Sequence, residues 1–171
     1  MRFLHILIIL IFNYNSFSQE FSFFNTDFSA TSLSLGGNVI AKSDDISLTY
    51  KTTSLLDQSQ INHISFDYLT LTNEINLFSF VYANELKKIG MYNFGVKNLN
   101  YGNFQGYDVN GFQTNEFHAN ELIFFTGISK IIIKELTLGL NLELLNSNYE
   151  SFSALAIASN TSLTYNNKKR K

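Results

Sequence analysis

The chain has 171 residues, room for one domain, and contains no Cys, Pro or Trp. Lack of cysteine excludes disulfides, thiolate metal sites and a cysteine nucleophile, and a formal charge of −2 gives no reason to expect a polyanion-binding surface. Charged residues are only 15%, against about a quarter in soluble domains, while 17 Phe and 9 Tyr suit a pleated, half-covered surface.

The first element in chain order is residues 1–18. Arg2 precedes the apolar run Phe3 to Phe12, and a polar stretch then ends at Ser16-Phe17-Ser18. A basic start, a hydrophobic core too short to span a bilayer and small residues two apart read as a signal peptide, with cleavage expected near Ser18–Gln19. The competing reading is a buried core helix. No other segment approaches the ~18 continuous apolar residues of a spanning helix. An exported chain of this kind is either soluble or a β-barrel.

Residues 19–60 form a separate N-terminal element. Leu33-Ser34-Leu35-Gly36-Gly37-Asn38-Val39-Ile40 leads into Ser43-Asp44-Asp45 and then Tyr50 and Leu55-Leu56. The paired glycines allow positive φ or close backbone approach. Ser43 is the expected cap of a short helix, with Asp44 and Asp45 placed for its dipole. A plug and a first strand both fit this pattern.

Residues 61–171 read as about six strands. Ile64, Phe66 and Tyr68 alternate with polar residues, as do Phe78, Phe80 and Tyr82, then Tyr92, Phe94 and Val96, then Leu122, Phe124 and Ile128. The clearest run is Leu136, Leu138, Leu140, Leu142 and Leu144, interleaved with Thr137, Gly139, Asn141 and Glu143. Side chains alternate across a strand, so this run has one leucine face and one polar face. Ser153 to Tyr165 keeps Leu155, Ile157, Leu163 and Tyr165 on one side and small residues on the other. With no helix between them, the strands are expected to form an antiparallel meander.

Short turns are expected at Ala83–Ile89, Lys130–Glu135 and the tail from Asn166. A long polar loop is expected over Gly102–Ala119, around the turn signal Asp108-Val109-Asn110-Gly111, with shorter loops near Leu69–Glu74 and Asn146–Ser151. Lys87, Lys88, Lys130, Lys134, Lys168, Lys169, Arg170 and Lys171 all fall at the short-turn end, although lysine is tolerated in any solvated turn. Short turns on one side and long loops on the other describe an outer-membrane barrel. The rival fold is a soluble β-sandwich. Three features favour lipid: segments long enough to cross at a tilt, an Asn, Ser, Thr and Gly polar face, and a nearly unbroken leucine and aromatic face. The fold expected is therefore all-β, an antiparallel up-and-down transmembrane β-barrel with a short helical, plug-like N-terminal element.

The stretch from Ser29 to Val39, followed by Asp44-Asp45 and Tyr50, resembles the N-terminal signature of the PorV/PorQ group of FadL-like outer-membrane barrels of the Bacteroidetes. Lys87-Lys88-Ile89-Gly90, Leu99-Asn100-Tyr101-Gly102-Asn103-Phe104 and Leu163-Thr164-Tyr165-Asn166-Asn167 are similar to PorQ-type members in particular. The likeness runs from about Phe21 to the last residues. Two departures stand out. Lys51-Thr52-Thr53-Ser54-Leu55-Leu56 replaces the family's usual Asn-Pro-Ala-Leu, and family members are longer, with strands continuing past Asn166–Lys171. Six strands are fewer than a bacterial barrel of eight or more needs. The expectation is a fragment of a barrel, ahead of a truncated frame or a half-barrel that needs a partner.

No catalytic, cofactor-binding or metal site is expected, nor a nucleic-acid partner. His63 and His118 are isolated. Asp44-Asp45 reads as a cation pair less well than as a helix-dipole pair. Glu121 and Glu143 share the polar parity of neighbouring strands and are expected as solvated lumen charges ahead of a catalytic pair. Lys97 shares that parity and is expected to pair with one of them. The resemblance implies an outer-membrane component of the type IX secretion system, a scaffold anchoring surface partners beside PorU, PorV and PorZ, with Gly102–Ala119 as contact surface. The alternatives are FadL-like transport of a hydrophobic molecule through an apolar pocket lined by Phe21, Phe23, Phe24 and Phe28, and a non-functional fragment.

Overall fold

The computed structural model describes residues 22–37, 44–71 and 74–166. The expected signal peptide, Phe21, the expected cap Ser43 and the basic run Lys168–Lys171 lie outside the described residues.

Six strands form one antiparallel sheet in chain order: β1 (His63–Thr70), β2 (Asn76–Leu86), β3 (Gly90–Tyr107), β4 (Gln113–Ile133), β5 (Leu136–Tyr149) and β6 (Phe152–Tyr165). The fold is all-β, a meander as the alternation implied. The sheet is open, with β1 and β6 as its edges. No helix among the described residues is long and apolar enough to cross a membrane.

Register assembles the alternating side chains into continuous rows. One row on the outward face reads Phe66, Phe80, Val96, Phe124, Leu144, Ile157, and the next Ile64, Tyr82, Phe94, Thr126, Leu142, Ser159. Cross-strand and diagonal aromatic contacts tie these rows, with ring centroids 5.0 Å apart for Phe66–Phe80 and 5.4 Å for Tyr82–Phe94. Such pairs are the local unit of sheet stability.

The burial of the two faces is inverted relative to a water-soluble sheet. The apolar face is open: Phe66 is 68% exposed, Leu142 57% and Ile157 76%. The face bearing Ser79, Asn93, Lys97, Glu121, Asn141 and Glu143 is buried, because residues 22–37 and 44–61 lie across it. Phe23, Phe28, Ile46, Tyr50 and Leu56 of that segment pack onto Leu77, Val81, Ala83, Met91, Leu99, Ile123, Phe125 and Leu145 of the sheet. The N-terminal element is thus a cover of short helical turns, and no strand forms among its described residues.

Two loop expectations are corrected. Gly102–Ala119 is not a long loop, because β3 and β4 stay paired through Asn103–His118, Phe104–Phe117 and Tyr107–Gln113. Only 108–112 turn, with Asp108 Oδ1 accepting from the backbone N–H of Asn110 and Phe112, both 2.8 Å. This ribbon outruns its neighbours, since β2 begins opposite Asn100 and β5 ends opposite Ala119. A bulge at its base needs Gly102, whose φ is +81°. Asn146–Ser151 is likewise not a loop: β5 runs to Tyr149, and Glu150 at φ 53° with Ser151 makes a tight turn.

Candidate functional site

The residues that do something other than build strands sit where the N-terminal cover meets the polar face. The cover is first tied to itself. Helix α1 (Ala30–Ser34) is capped by Ser29, whose hydroxyl accepts the Ser32 N–H at 3.3 Å. It ends at Gly36 and Gly37, with φ of 67° and 79°, whose N–H groups donate to the carbonyls of Leu33 and Ser32. The following 3₁₀ turn, Ile46–Tyr50, is capped by Asp45, which corrects the expectation that Ser43 starts it. Asp45 Oδ1 accepts from the Ser47 N–H at 2.8 Å and Oδ2 from Thr31 Oγ1 at 2.5 Å, which joins the turn to α1. Where the resembled family carries proline, a 3₁₀ turn at Thr53–Leu55 bends the chain instead.

Docking onto the sheet uses a set of hydrogen bonds between sheet side chains and the backbone and side chains of the cover. Asn141 Nδ2 donates to the carbonyl oxygen of Tyr50 at 3.0 Å, and Ser129 Oγ to that of Leu56 at 2.9 Å. The Ser54 N–H donates to Ser162 Oγ at 2.9 Å, and Asn93 Nδ2 donates to Thr49 Oγ1 at 2.8 Å. Gly139 makes the close approach possible: a Cβ there would collide with the backbone nitrogen of Ser54 and sit 2.6 Å from Ser162 Oγ.

At the centre lies the ion pair that strand parity implied. Lys97 Nζ stands 3.3 Å from Glu143 Oε2, with the two side chains 0% and 2% exposed. The ammonium lies 4.3 Å from the centroid of the Tyr50 ring, with Phe28 and Phe125 also within reach. Glu143 Oε1 accepts from Asn141 Nδ2 at 2.9 Å and Asn160 Nδ2 at 3.1 Å, so both carboxylate oxygens are engaged. A charge pair this dry persists only when hydrogen bonds satisfy the atoms the pair itself leaves over. Burial raises the Tyr50 phenol well above its ordinary value, and the nearby carboxylate of Asp27 adds to the effect. Its oxygen accepts the Phe28 N–H at 3.2 Å.

The two carboxylates are not solvated lumen charges. Glu121 is buried, accepting from Tyr101 OH at 2.9 Å and Ser147 Oγ at 3.1 Å. It lies opposite Leu99 while Glu143 lies opposite Phe125, two register rows away, roughly 13 Å along the strands. That separation leaves no shared proton and no paired acid and base. His63 and His118 are both exposed and sit on different strands. Among the described residues no three His, Asp or Glu gather as metal ligands. Asp44 is exposed beside the capping Asp45.

Of the phenylalanines expected at an apolar transport pocket, Phe21 lies outside the described residues and the other three pack into the core beneath the cover. Phe23 and Phe28 meet edge to face at 5.4 Å and are fully buried, and Phe24 packs against the same core. A cavity of about 260 Å³ lies instead at the short-turn end, with Leu56, Met91 and Ile131 beside Asp57, Lys87 and Lys130. Strand parity marks Lys97 and Glu143 in the sequence, whereas no docking role is expected there for Tyr50, Asn93, Asn141, Ser129 or Ser162. The four sheet residues among these share the inner face with Lys97, and that was the available signal.

The arrangement holds the N-terminal cover against the sheet, and the hydroxyl–carboxylate contacts it contains, such as Ser32–Asp27 and Ser147–Glu121, tie segments together. Comparison with protein-family models, with curated proteins and with solved structures gave no match to this chain.

Proposed function

We propose that the six strands form part of the wall of an outer-membrane β-barrel, with leucine and aromatic side chains in lipid and the N-terminal cover as an inward plug. The observation that carries this is the inverted burial: an open face of Phe, Leu and Ile backing onto a closed face with Lys97, Glu143, Asn93 and Asn141. A soluble sandwich would do the reverse. From Leu138 to Asn146 the outward band on β5 measures about 27 Å along the strand, or about 21 Å after a barrel-like tilt, close to the band height of outer-membrane barrels. Unpaired edges in hydrocarbon cost several kcal/mol per unsatisfied group, so β1 and β6 take further strands in the membrane.

Within that frame the chain acts as a PorQ-type scaffold of the type IX secretion system, working beside PorU, PorV and PorZ to hold surface partners. This part rests on the resemblance of Ser29–Val39, Lys87–Gly90 and Leu99–Phe104, and on a centre built to hold a plug. The projecting β3–β4 ribbon is the proposed contact surface. The test is fractionation of the tagged full chain in a Bacteroidetes host, followed by pull-down from the outer membrane. The expected result is resistance to carbonate extraction and recovery of PorZ. A chain that stays folded and monomeric in detergent-free buffer overturns the membrane reading. Fatty-acid uptake without recovery of surface proteins overturns the scaffold reading.

A further inference from the structure

The outward apolar band ends, on the side of the projecting ribbon, in a row made almost wholly of asparagine. Register places Thr70, Asn76, Asn100, Asn120, Asn148 and Ser153 side by side across all six strands. The row beneath adds Asn98 and Asn146 between Tyr68, Phe78, Leu122 and Leu155. All six amides are exposed or half-buried, and neither row contains an acidic or basic side chain.

Some of the amide groups are tied to one another. Asn98 Nδ2 donates to Asn120 Oδ1 at 2.8 Å, Asn148 Nδ2 to Asn146 Oδ1 at 3.3 Å, and Asn76 Oδ1 accepts from Tyr68 OH at 2.9 Å. These contacts set the amides in fixed orientations. The Nδ2 groups of Asn100, Asn120 and Asn146 and the Oδ1 of Asn148 take no side-chain or backbone partner among the described residues, and their residues lie on the outward face in adjoining register rows.

The opposite rim is built differently. There the outward row carries Lys130, the adjoining turns carry Lys87, Lys88 and Lys134, and Asn84 is spent on Asn62 and Tyr82. One edge of the band therefore ends in two neutral rows rich in donors and acceptors, bordered by turns that carry Glu74 and Glu150, and the other is bordered by four lysines with Glu85 and Glu135 among them. Lysine suits the phosphates of anionic phospholipids. An amide, which both donates and accepts without charge, matches a sugar hydroxyl, which does the same.

We infer that the asparagine rows are a binding belt for the saccharide headgroups of a glycolipid leaflet, bound side-on to the wall. A row that only marked the water line would be served equally by Ser, Thr or charged residues. Four successive strands instead place the same amide at the same height. The inference rests on the membrane reading above and deepens it by giving the two leaflets different chemistry.

The test uses the full chain in nanodiscs of phosphatidylethanolamine and phosphatidylglycerol, with and without rough lipopolysaccharide as the probe. Glycolipid retained per protein after lipid exchange is measured by mass spectrometry. Wild type is expected to retain lipopolysaccharide, and the triple variant Asn120→Ala, Asn146→Ala, Asn148→Ala to retain about tenfold less, as loss of a few ordinary hydrogen bonds implies. The corresponding triple Gln variant, which keeps the amides, is expected to restore retention. Lys87→Gln with Lys88→Gln at the far rim is expected to leave it unchanged. Equal retention in the Ala variant overturns the belt, as does equal loss in the lysine variant, which would assign the binding to phosphate attraction. A chain that inserts in neither bilayer overturns the membrane reading itself, whereas insertion with no preference between the lipids overturns the belt alone.

Discussion

Removing either partner of the Lys97–Glu143 pair is expected to loosen the whole cover. At 3.3 Å and an effective dielectric near 20, the attraction is about 5 kcal/mol before the cost of drying both groups. Truncating one partner leaves the other charge buried and unpaired, a loss of about 3–5 kcal/mol. Lys97→Met also forfeits the contact of the ammonium with the Tyr50 ring, about 2 kcal/mol in a dry site, partly offset by sulfur against the same ring. Glu143→Gln keeps an oxygen to accept from Asn141 and Asn160 but strands the ammonium. The double variant Lys97→Met, Glu143→Gln removes both charges and is expected to recover at least 2 kcal/mol relative to the sum of the singles. Denaturant unfolding in detergent micelles, followed by tyrosine fluorescence because the chain has no Trp, measures all four proteins. The heat-modifiable gel shift expected of the proposed barrel gives a second readout. A Lys97→Met protein within about 0.5 kcal/mol of wild type, or strictly additive single costs, would refute the claim that this pair seats the cover.

Three further outcomes are expected. Leu142 lies mid-band and is open, so Leu142→Lys should cost about 2–4 kcal/mol and Asn148→Lys at the rim no more than about 1, while a neutral Leu142→Lys would point to water, not lipid. The folded-state pKa of Tyr50 is raised above its ordinary 10.0, so its contribution is complete below pH 10 and is lost as pH rises through the folded value. Stability measured by thermal unfolding should therefore fall above about pH 10 in wild type, and this alkaline slope should shrink in Tyr50→Phe. Gly139→Val would drive a side chain into Thr53 and Ser54, at about 1–3 kcal/mol. It should loosen the cover and speed trypsin cleavage after Lys51, already exposed in the wild type, while leaving the strands protected, and an unchanged cleavage rate would contradict the close approach.

The sheet was legible because its two faces differ in chemistry: the leucines of β5 at every second position leave no helical alternative, and the register follows. Parity also placed Lys97 and Glu143 on one face, and their pairing with it. The β3–β4 ribbon was not legible, because beyond Asn100 both of its faces meet solvent. Its Asn, Gly and Gln side chains do not alternate, so backbone pairing leaves no trace in composition. The state of Glu121 and Glu143 was misread for a related reason. A strand pattern gives the side a residue points to, not what covers that side, and the covering residues lie far away in sequence: Tyr50, whose carbonyl meets Asn141, is 91 positions from it. The helix cap fell two residues from its expected place because Ser43 and Asp45 are both good capping residues.

Sequence separation also governs the order of assembly. Every strand pairs with its immediate successor, so hairpins close from nearby residues. The bond between Ser54 and Thr164, by contrast, joins groups 110 positions apart. Closing such a loop is slow compared with zipping a hairpin. The bonds from the cover to β5 and β6 are therefore expected to close after the hairpins, and until they do the interior around Lys97 and Glu143 is open to water. Such an order would let the two charges stay hydrated through the early steps and lose water only when the cover docks.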